Sequence, residues 1–377
     1  MKIMFSAGET SGDLHGAELA REIKKLSPAT ELMGFGGDNM AAAGVNLWHN
    51  CRSYNIMGVA EVIANLRRIL RLLDSLAERM AKERPDALVL IDYPDFNWRL
   101  AKRAKKLNIP VFSYIPPSAW AWRRGRAKDC AKLAGEFAAI FPFELKPYEE
   151  AGANIYFWGN PLVDTVKTSL SAEKAREYFS LAENDAAVLL MPGSRRQEIE
   201  RIFSPMLKAA EIMQKFKPTT KFYVPVAAGM DENLLTEKIS RTALNVTLVR
   251  EYRYDLMALA DLAVATSGTV ILEAALLSLP GVVLYKMSRL NYCIGKMLVH
   301  VDNISLPNIL LGRRALPELL QDEVEPKAIA SAAMKFYRGT AEREKAVADL
   351  KESCRKLGDP GAARRVADRI LKFAAGE

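Results

Sequence analysis

The feature that most constrains this chain is an alternation that runs twice. Short apolar runs at 3–6, 32–35, 87–91 and 111–114 alternate with helical patterns at 13–26, 59–83 and 98–107. After Asn160 and Pro161 the alternation restarts, with apolar runs at 187–191, 222–226, 247–249, 262–265 and 282–285 between helical stretches at 198–215, 233–242, 254–258 and 269–277. Strands that alternate with helices predict a parallel sheet covered on both faces, so two doubly wound α/β domains are expected. At 377 residues the chain also exceeds what a single core usually serves. The expected domains are 1–165 and 166–340. Helices over 341–377 then either pack back on the first domain or are exchanged in a dimer. Open α/β sheets bind ligands at the carboxyl ends of their strands, which places the chemistry in a cleft between the two sheets.

Four strand-to-helix turns carry candidate chemistry. In the first, Gly8, Glu9, Ser11, Gly12 and His15 sit where an apolar strand opens into a helix. Amides at such a start hold anions or sugar oxygens, so Glu9, Ser11 and Gly12 are substrate-contact candidates. The competing structural role is a tight turn with Ser11 or Asp13 as helix cap. The spacing is not G-x-G-x-x-G, so NAD is unsupported. In the second half Gly193 and Ser194 meet Arg195 and Arg196 at a helix start, an arrangement suited to pyrophosphate and unfavourable for basic residues otherwise. Ser267, Gly268 and Thr269 form a third such turn, with Glu273 one helical turn further on and suited to ribose hydroxyls. The fourth turn carries Asp92 and Asp95 after a strand. Asp92 reads as a cap or loop residue and Asp95 as a general base, with His15 as the rival base.

Composition narrows the class. Lys and Arg outnumber Asp and Glu by 53 to 45, which favours phosphates, anionic lipid or nucleic acid as partners. No finger or RNP-like strand is visible, so no nucleic-acid partner is expected. The four cysteines are dispersed and read as reduced and cytoplasmic. Met1 runs directly into an apolar strand, and the most apolar tract, 262–285, is broken by Glu273 and Pro280, so no leader and no membrane span are expected. No Asp-x-Asp pair follows a strand and no His/Cys/Glu set has ligand spacing, so neither a metal nor a cofactor is expected. G-x-S-x-G is also missing, which argues against an acyl-enzyme. Two tracts mix apolar and basic residues as membrane-surface segments do. The first, 61–84, carries Val62, Leu66, Leu70, Leu73 and Met80 beside Arg67, Arg68 and Arg71; a core-facing helix is the commoner explanation for it. The second, 286–301, carries Leu290, Tyr292, Ile294, Met297 and Leu298 among Lys286, Arg289 and Lys296, without a clean stripe, which suits acyl or membrane contact.

Taken in order, GETSGD at 8–13, MGVAEV at 57–62, IDYPDFN at 91–97, SAWAWR at 118–123, FPFE at 141–144, GNPLVD at 159–164, PGSR at 192–195, SGTVILE at 267–273 and SLPNIL at 305–310 make the chain resemble the lipid A disaccharide synthases along essentially its whole length. The resemblance implies a GT-B fold and an inverting transfer from UDP-2,3-diacylglucosamine to 2,3-diacylglucosamine 1-phosphate, giving a β-1,6 disaccharide 1-phosphate and UDP. It implies a homodimer and a cytoplasmic enzyme held peripherally on the inner membrane. By motif it puts Asp95 at the family's essential aspartate, Arg195 near UDP and Asn308 on the nucleotide site. Pro116 departs from the family pattern by replacing a serine, which bears on the loop near Trp120. The alternatives are another UDP-GlcNAc-using enzyme of the same fold, a 2-epimerase or lipid-linked GlcNAc transferase, and a non-catalytic membrane-surface binder, which leaves the paired phosphate turns unexplained.

Overall fold

The computed structural model describes residues 1–54, 66–121, 125–226, 230–288, 292 and 301–377. The motif at 57–62, Val62, the end of the motif at 118–123, and Arg289, Leu290, Ile294, Lys296, Met297 and Leu298 lie outside the described residues.

The apolar runs are strands buried on both faces, as parallel sheets covered by helices require. The first sheet contains β1 (Lys2–Ala7), β2 (Glu31–Gly36), β3 (Asn46–Asn50), β4 (Ala87–Ile91), β5 (Val111–Tyr114), β6 (Glu136–Ala139) and β7 (Ile155–Phe157). Its order is β3-β2-β1-β4-β5-β6-β7. The second contains β8 (Ala186–Met191), β9 (Thr220–Pro225), β10 (Val246–Val249), β11 (Leu262–Thr266), β12 (Gly281–Tyr285) and β13 (Glu318–Leu320), ordered β10-β9-β8-β11-β12-β13. All pairings are parallel.

Each sheet therefore has one place where the chain stops winding one way and starts the other. In the first it lies between β1 and β4, with Ala7 beside Ile91. In the second it lies between β8 and β11, with Ala265 beside Met191. The two turns that leave each such pair are neighbours at the strands' carboxyl ends, where open α/β sheets hold ligands.

The chain divides into two compact units, one of residues 1–161 with 357–377 and one of residues 162–356. This differs from the expected partition at the C-terminus. The helix Ala341–Arg355 packs on the helices Thr269–Leu276 and Leu306–Leu311 of the second unit, with Ala346 and Leu350 in that unit's core. Only the helix Ala362–Ala375 returns to the first unit. It lies along the helix Thr10–Leu26 and places Val366, Ala367 and Ile370 in one cluster with Ile3, Phe5 and Leu19. The apolar stripe of each helix decides which core it joins.

Candidate functional site

In the first unit the glycine turn after β1 and the acidic turn after β4 lie side by side. The helix Thr10–Leu26 starts with Glu9 as its cap residue, and Glu9 makes no capping bond through its side chain. Neither Ser11 nor Asp13 caps it. Asp13 is buried and accepts the N–H of Gly37 (2.8 Å), Asn39 (3.1 Å) and Met40 (3.0 Å) and the Asn39 amide (2.8 Å), which ties the helix to the loop after β2. Gly12 is buried as well: a Cβ there would sit 3.3 Å from the Ile91 carbonyl. It serves helix–strand packing. Glu9 and Ser11 are exposed. At Gly8 a Cβ would fall 2.1 Å from the Tyr93 ring, so glycine is what lets the acidic turn close over the first one.

The acidic turn is held in an uncommon shape. Asp92 and Tyr93 both have left-handed backbones, with φ of 48° and 49°. Asn97, 1% exposed, fixes them: its Nδ2 donates to the carbonyls of Asp92 (2.6 Å) and Ser6 (3.1 Å), and its Oδ1 accepts from Ser6 Oγ (2.6 Å). The turn separates the two aspartates. Asp95 opens the helix Pro94–Lys106 with its side chain 89% exposed and paired to Arg126 at 2.8 Å. Asp92 is largely enclosed, and burial holds its carboxyl above the usual range, offset in part by the Tyr93 N–H and by nearby His15. Glu144, which follows β6, is pushed up to about 7, chiefly by burial, while the N–H groups of Ile140 and Phe141 (3.1 Å each) pull the other way. A desolvated carboxyl beside a histidine suits proton abstraction better than an exposed one paired with arginine. The environment thus points away from Asp95 and toward Asp92, which sequence reasoning took for a cap. His15 Nδ1 is buried without a hydrogen-bond partner among the described residues, and Glu18 Oε2 is 3.9 Å away, beyond hydrogen-bond reach. At Pro116, the sequence departure, Ile115 before it is left-handed (φ 57°), and the Tyr148 hydroxyl donates to the Pro117 carbonyl at 2.9 Å.

In the second unit the turns after β8 and β11 line one cavity of about 340 Å3, together with Arg253, Met257 and Glu273. That size is within the range of small-molecule sites. Gly193, Ser194 and Arg195 form one wall and Ser267, Gly268 and Thr269 another. The helices Arg196–Phe216 and Thr269–Leu276 both begin here, so their unpaired amides and positive dipole ends meet at the cavity. Gly193 has φ of 100°, and a Cβ would lie 2.2 Å from Glu198 Oε2. The Glu198 carboxylate folds back over that turn, accepting the Arg195 N–H (3.2 Å) and pairing with its guanidinium (3.2 Å). Glu273 faces the cavity with Oε1 held by Tyr254 Oη (3.2 Å) and close to Arg253 Nη2 (3.5 Å). Thr266 Oγ1 is buried at the cavity wall without a partner among the described residues. Neither Arg253 nor Tyr254 carried a signal in the sequence, because the fold alone brings them to Glu273.

Two candidates in this half are corrected. Asn308 is 0% exposed and its amide is filled: Nδ2 donates to Leu316 O (2.9 Å) and Glu318 Oε1 (2.8 Å), and Oδ1 accepts from Ala315 N (2.8 Å) and Leu316 N (3.0 Å). It has no capacity left for a ligand. Ser267 lines the cavity, but its N–H is given to Leu284 O (2.9 Å) and its hydroxyl to Ile304 O (3.0 Å), so the donors of this turn come from Gly268 and Thr269. A larger groove of about 740 Å3 runs along the edge strand β10, past Tyr178, Asn245 and Arg250. It follows the strand's length instead of its carboxyl end and holds none of the glycine turns, so the smaller cavity is the better site.

Comparisons with known proteins give the family and the fold. A family model for lipid-A-disaccharide synthetase matches residues 3–369. The chain is 42% identical over 371 residues to a lipid-A-disaccharide synthase of Syntrophus aciditrophicus (strain SB), covering 98% of this chain and 97% of that one. It is 39% identical to another from Geobacter metallireducens, covering 99% and 97%. Among solved structures it is similar to a UDP-GlcNAc 2-epimerase from Neisseria meningitidis bound to UDP-GlcNAc, with a TM-score of 0.68 at 15% identity over 99% of this chain and 100% of that one. MurG of Acinetobacter baumannii gives 0.60 at 15% identity over 98% and 99%. These two likenesses speak for the GT-B fold alone, so the epimerase and GlcNAc-transferase readings share the architecture without sharing the family. With its motifs in family order, its glycine turns at both chain reversals and a match over nearly every residue, the chain belongs to the lipid-A-disaccharide synthase family, the glycosyltransferases that join the two sugars of lipid A.

Proposed function

We propose that the chain moves a 2,3-diacylglucosaminyl unit from UDP to the 6-hydroxyl of 2,3-diacylglucosamine 1-phosphate, with the UDP diphosphate held in the second unit's cavity. The convergence of residues 193–195 and 267–269 on that cavity carries the reading. In the step, the acceptor oxygen bonds to the anomeric carbon as the bond to the diphosphate oxygen breaks on the opposite face. UDP leaves with the electron pair, and the acceptor proton passes to a carboxylate. Asp92 is assigned that proton because it is enclosed and lies near His15, whereas Asp95 is exposed. Arg195 and the amides at the starts of the two helices offset the charge that grows on the leaving group, where one lost donor typically costs about a hundredfold in turnover. Glu273 is suited to the donor's ribose and Glu9 and Ser11 to the acceptor side.

Calorimetry and turnover test this together. The parent binds UDP; Arg195→Ala weakens that binding and lowers turnover about a hundredfold. Asp92→Asn lowers turnover by about a hundredfold or more with UDP affinity within about twofold. Because burial raises the Asp92 carboxyl, the acid limb of the rate profile lies above the ordinary carboxylate range. Absence of any UDP binding by the parent sinks the donor site, and an Asp92→Asn protein as fast as the parent removes Asp92 as base.

A peripheral place on the cytoplasmic face of the inner membrane belongs to the same reading. No helix among the described residues is long and apolar enough to cross a bilayer. The helix Leu66–Glu83 buries Leu72, Leu73, Leu76 and Met80 but leaves Leu66 (43%) and Leu70 (37%) exposed among Arg67, Arg68 and Arg71. Exposed leucines flanked by arginines suit an anionic lipid surface. Co-sedimentation with vesicles of anionic phospholipid is expected to fall when Leu66 and Leu70 are both changed to Ser, and unchanged binding excludes this contact. A homodimer is part of the reading, and light scattering of the purified protein measures it directly.

A further inference from the structure

The buried polar cluster behind the second unit's cavity has no part in the reaction as drawn above. Its centre is Glu318 on β13, 4% exposed. Oε1 accepts from Ser305 N (2.9 Å), Ser305 Oγ (2.7 Å) and Asn308 Nδ2 (2.8 Å), and Oε2 accepts from Ile304 N (2.9 Å). Asn308 then clamps the returning segment through Ala315 and Leu316. Every donor of the 304–305 backbone is thereby fixed on one carboxyl group, and the Ile304 carbonyl is left pointing at the cavity turn, where it accepts from Ser267 Oγ at 3.0 Å. On its other side Ser267 is tied to β12 through Leu284. The first residue of the turn is thus anchored at both of its donors, while Gly268 and Thr269 beyond it stand exposed.

We infer that Glu318 and Asn308 are positioning residues for donor binding, acting through Ile304 and Ser267 to aim the amides of Gly268 and Thr269 at the diphosphate. Ser267 is a tether and not a ligand. The asparagine of the 305–310 motif serves the nucleotide from behind the wall, and its partner Glu318 lies in none of the motifs that carried the family resemblance. Four donors converging on one buried carboxyl make a rigid support, since removing it leaves each of them unsatisfied.

The inference rests on the reading that the cavity takes UDP, and the experiment separates the two. UDP affinity is measured by calorimetry for the parent, Glu318→Gln, Ser267→Ala and the double variant. Each single change is expected to weaken UDP by about tenfold. The double variant is expected to be no more than about twofold worse than either, because both break one chain of contacts. Parental affinity in Glu318→Gln, or losses that multiply in the double variant, overturns the inference and leaves the donor site standing. A parent that binds no UDP defeats the donor site instead. Hydrogen exchange without nucleotide gives a second readout that does not need Glu318→Gln to fold. Ser267→Ala is expected to speed exchange at 268–271 in the unliganded protein, as loss of a tether would and loss of a ligand contact would not. Unchanged exchange there overturns the inference.

Discussion

Glu144 has no role in the reaction proposed here, yet its burial makes the first unit's stability depend on pH. Its carboxyl titrates near 4.5 in an unfolded chain and at about 7 in the fold, chiefly because it is buried. Between those values the native protein keeps a proton that the unfolded chain releases, so stability falls as pH rises through the window, by about 3 kcal/mol at its upper end. Glu144→Gln keeps an acceptor for the Ile140 and Phe141 amides and removes the ionisation. Its thermal midpoint is expected to exceed the parent's at about pH 8 and to match it at about pH 5, and parallel curves for the two proteins would refute this. The same unit shows what a residue's type and spacing cannot convey. Asp92 and Asp95 stand three positions apart in one motif, and the strand ending at Ile91 was readable from its apolar run. Which aspartate turns inward depends on two successive left-handed residues and on the Asn97 amide that holds them, and neither leaves a trace in composition. Asn308 misled for a related reason. Small and polar residues near a helix start suit a ligand or a close contact equally well, and only the neighbours that the fold supplies decide.

At the scale of elements, the two helix starts at the second cavity are built unequally. The helix Thr269–Leu276 opens with Gly268 and makes no side-chain cap, whereas the helix Arg196–Phe216 already has an anion at its start in Glu198. That carboxylate satisfies the Arg195 amide and guanidinium and so stabilises the fold, but it occupies charge that a diphosphate would use. Glu198→Ala is therefore expected to bind UDP about threefold more tightly. It should also lose about 1 kcal/mol of stability with the cap. Calorimetry and thermal melts read both effects, and weaker UDP binding would make Glu198 part of the grip. The strand–helix alternation foretold the centre of both sheets, because buried parallel strands are apolar throughout, and it missed β3, β6, β7 and β13, which are short or interrupted by polar residues. The network that joins Ser267 to Glu318 was invisible by the same logic: its ends lie 51 positions apart and meet only through the intervening Ile304 and Ser305.

For the molecule as a whole, the division that matters is not the midpoint of the chain. The alternation located the restart near 160, and the structure puts the crossing at Pro161–Leu162. It also places the helix Ala341–Arg355 with the second unit, where the sequence reading had it packing back on the first domain or exchanged in a dimer, because an amphipathic stripe does not name its partner. Ile370 is 0% exposed in the core shared with Ile3 and Phe5, so Ile370→Ala is expected to cost about 2–5 kcal/mol. In a denaturant titration that loss should displace the transition of the first unit, reported by Trp48 and Trp98, and leave that of the second in place. Equal displacement of both transitions would contradict the partition.

Because residues 357–377 belong to the first unit, the core around the helix Thr10–Leu26 is completed only after residues 162–356 have been synthesised. On the ribosome, the outer surface of the helix Thr10–Leu26 must wait, uncovered and greasy, while nearly two hundred intervening residues fold into a unit of their own. Any event that halts translation before the helix Ala362–Ala375 emerges would strand a chain whose second unit is complete and whose first core is left open, a product suited to aggregate.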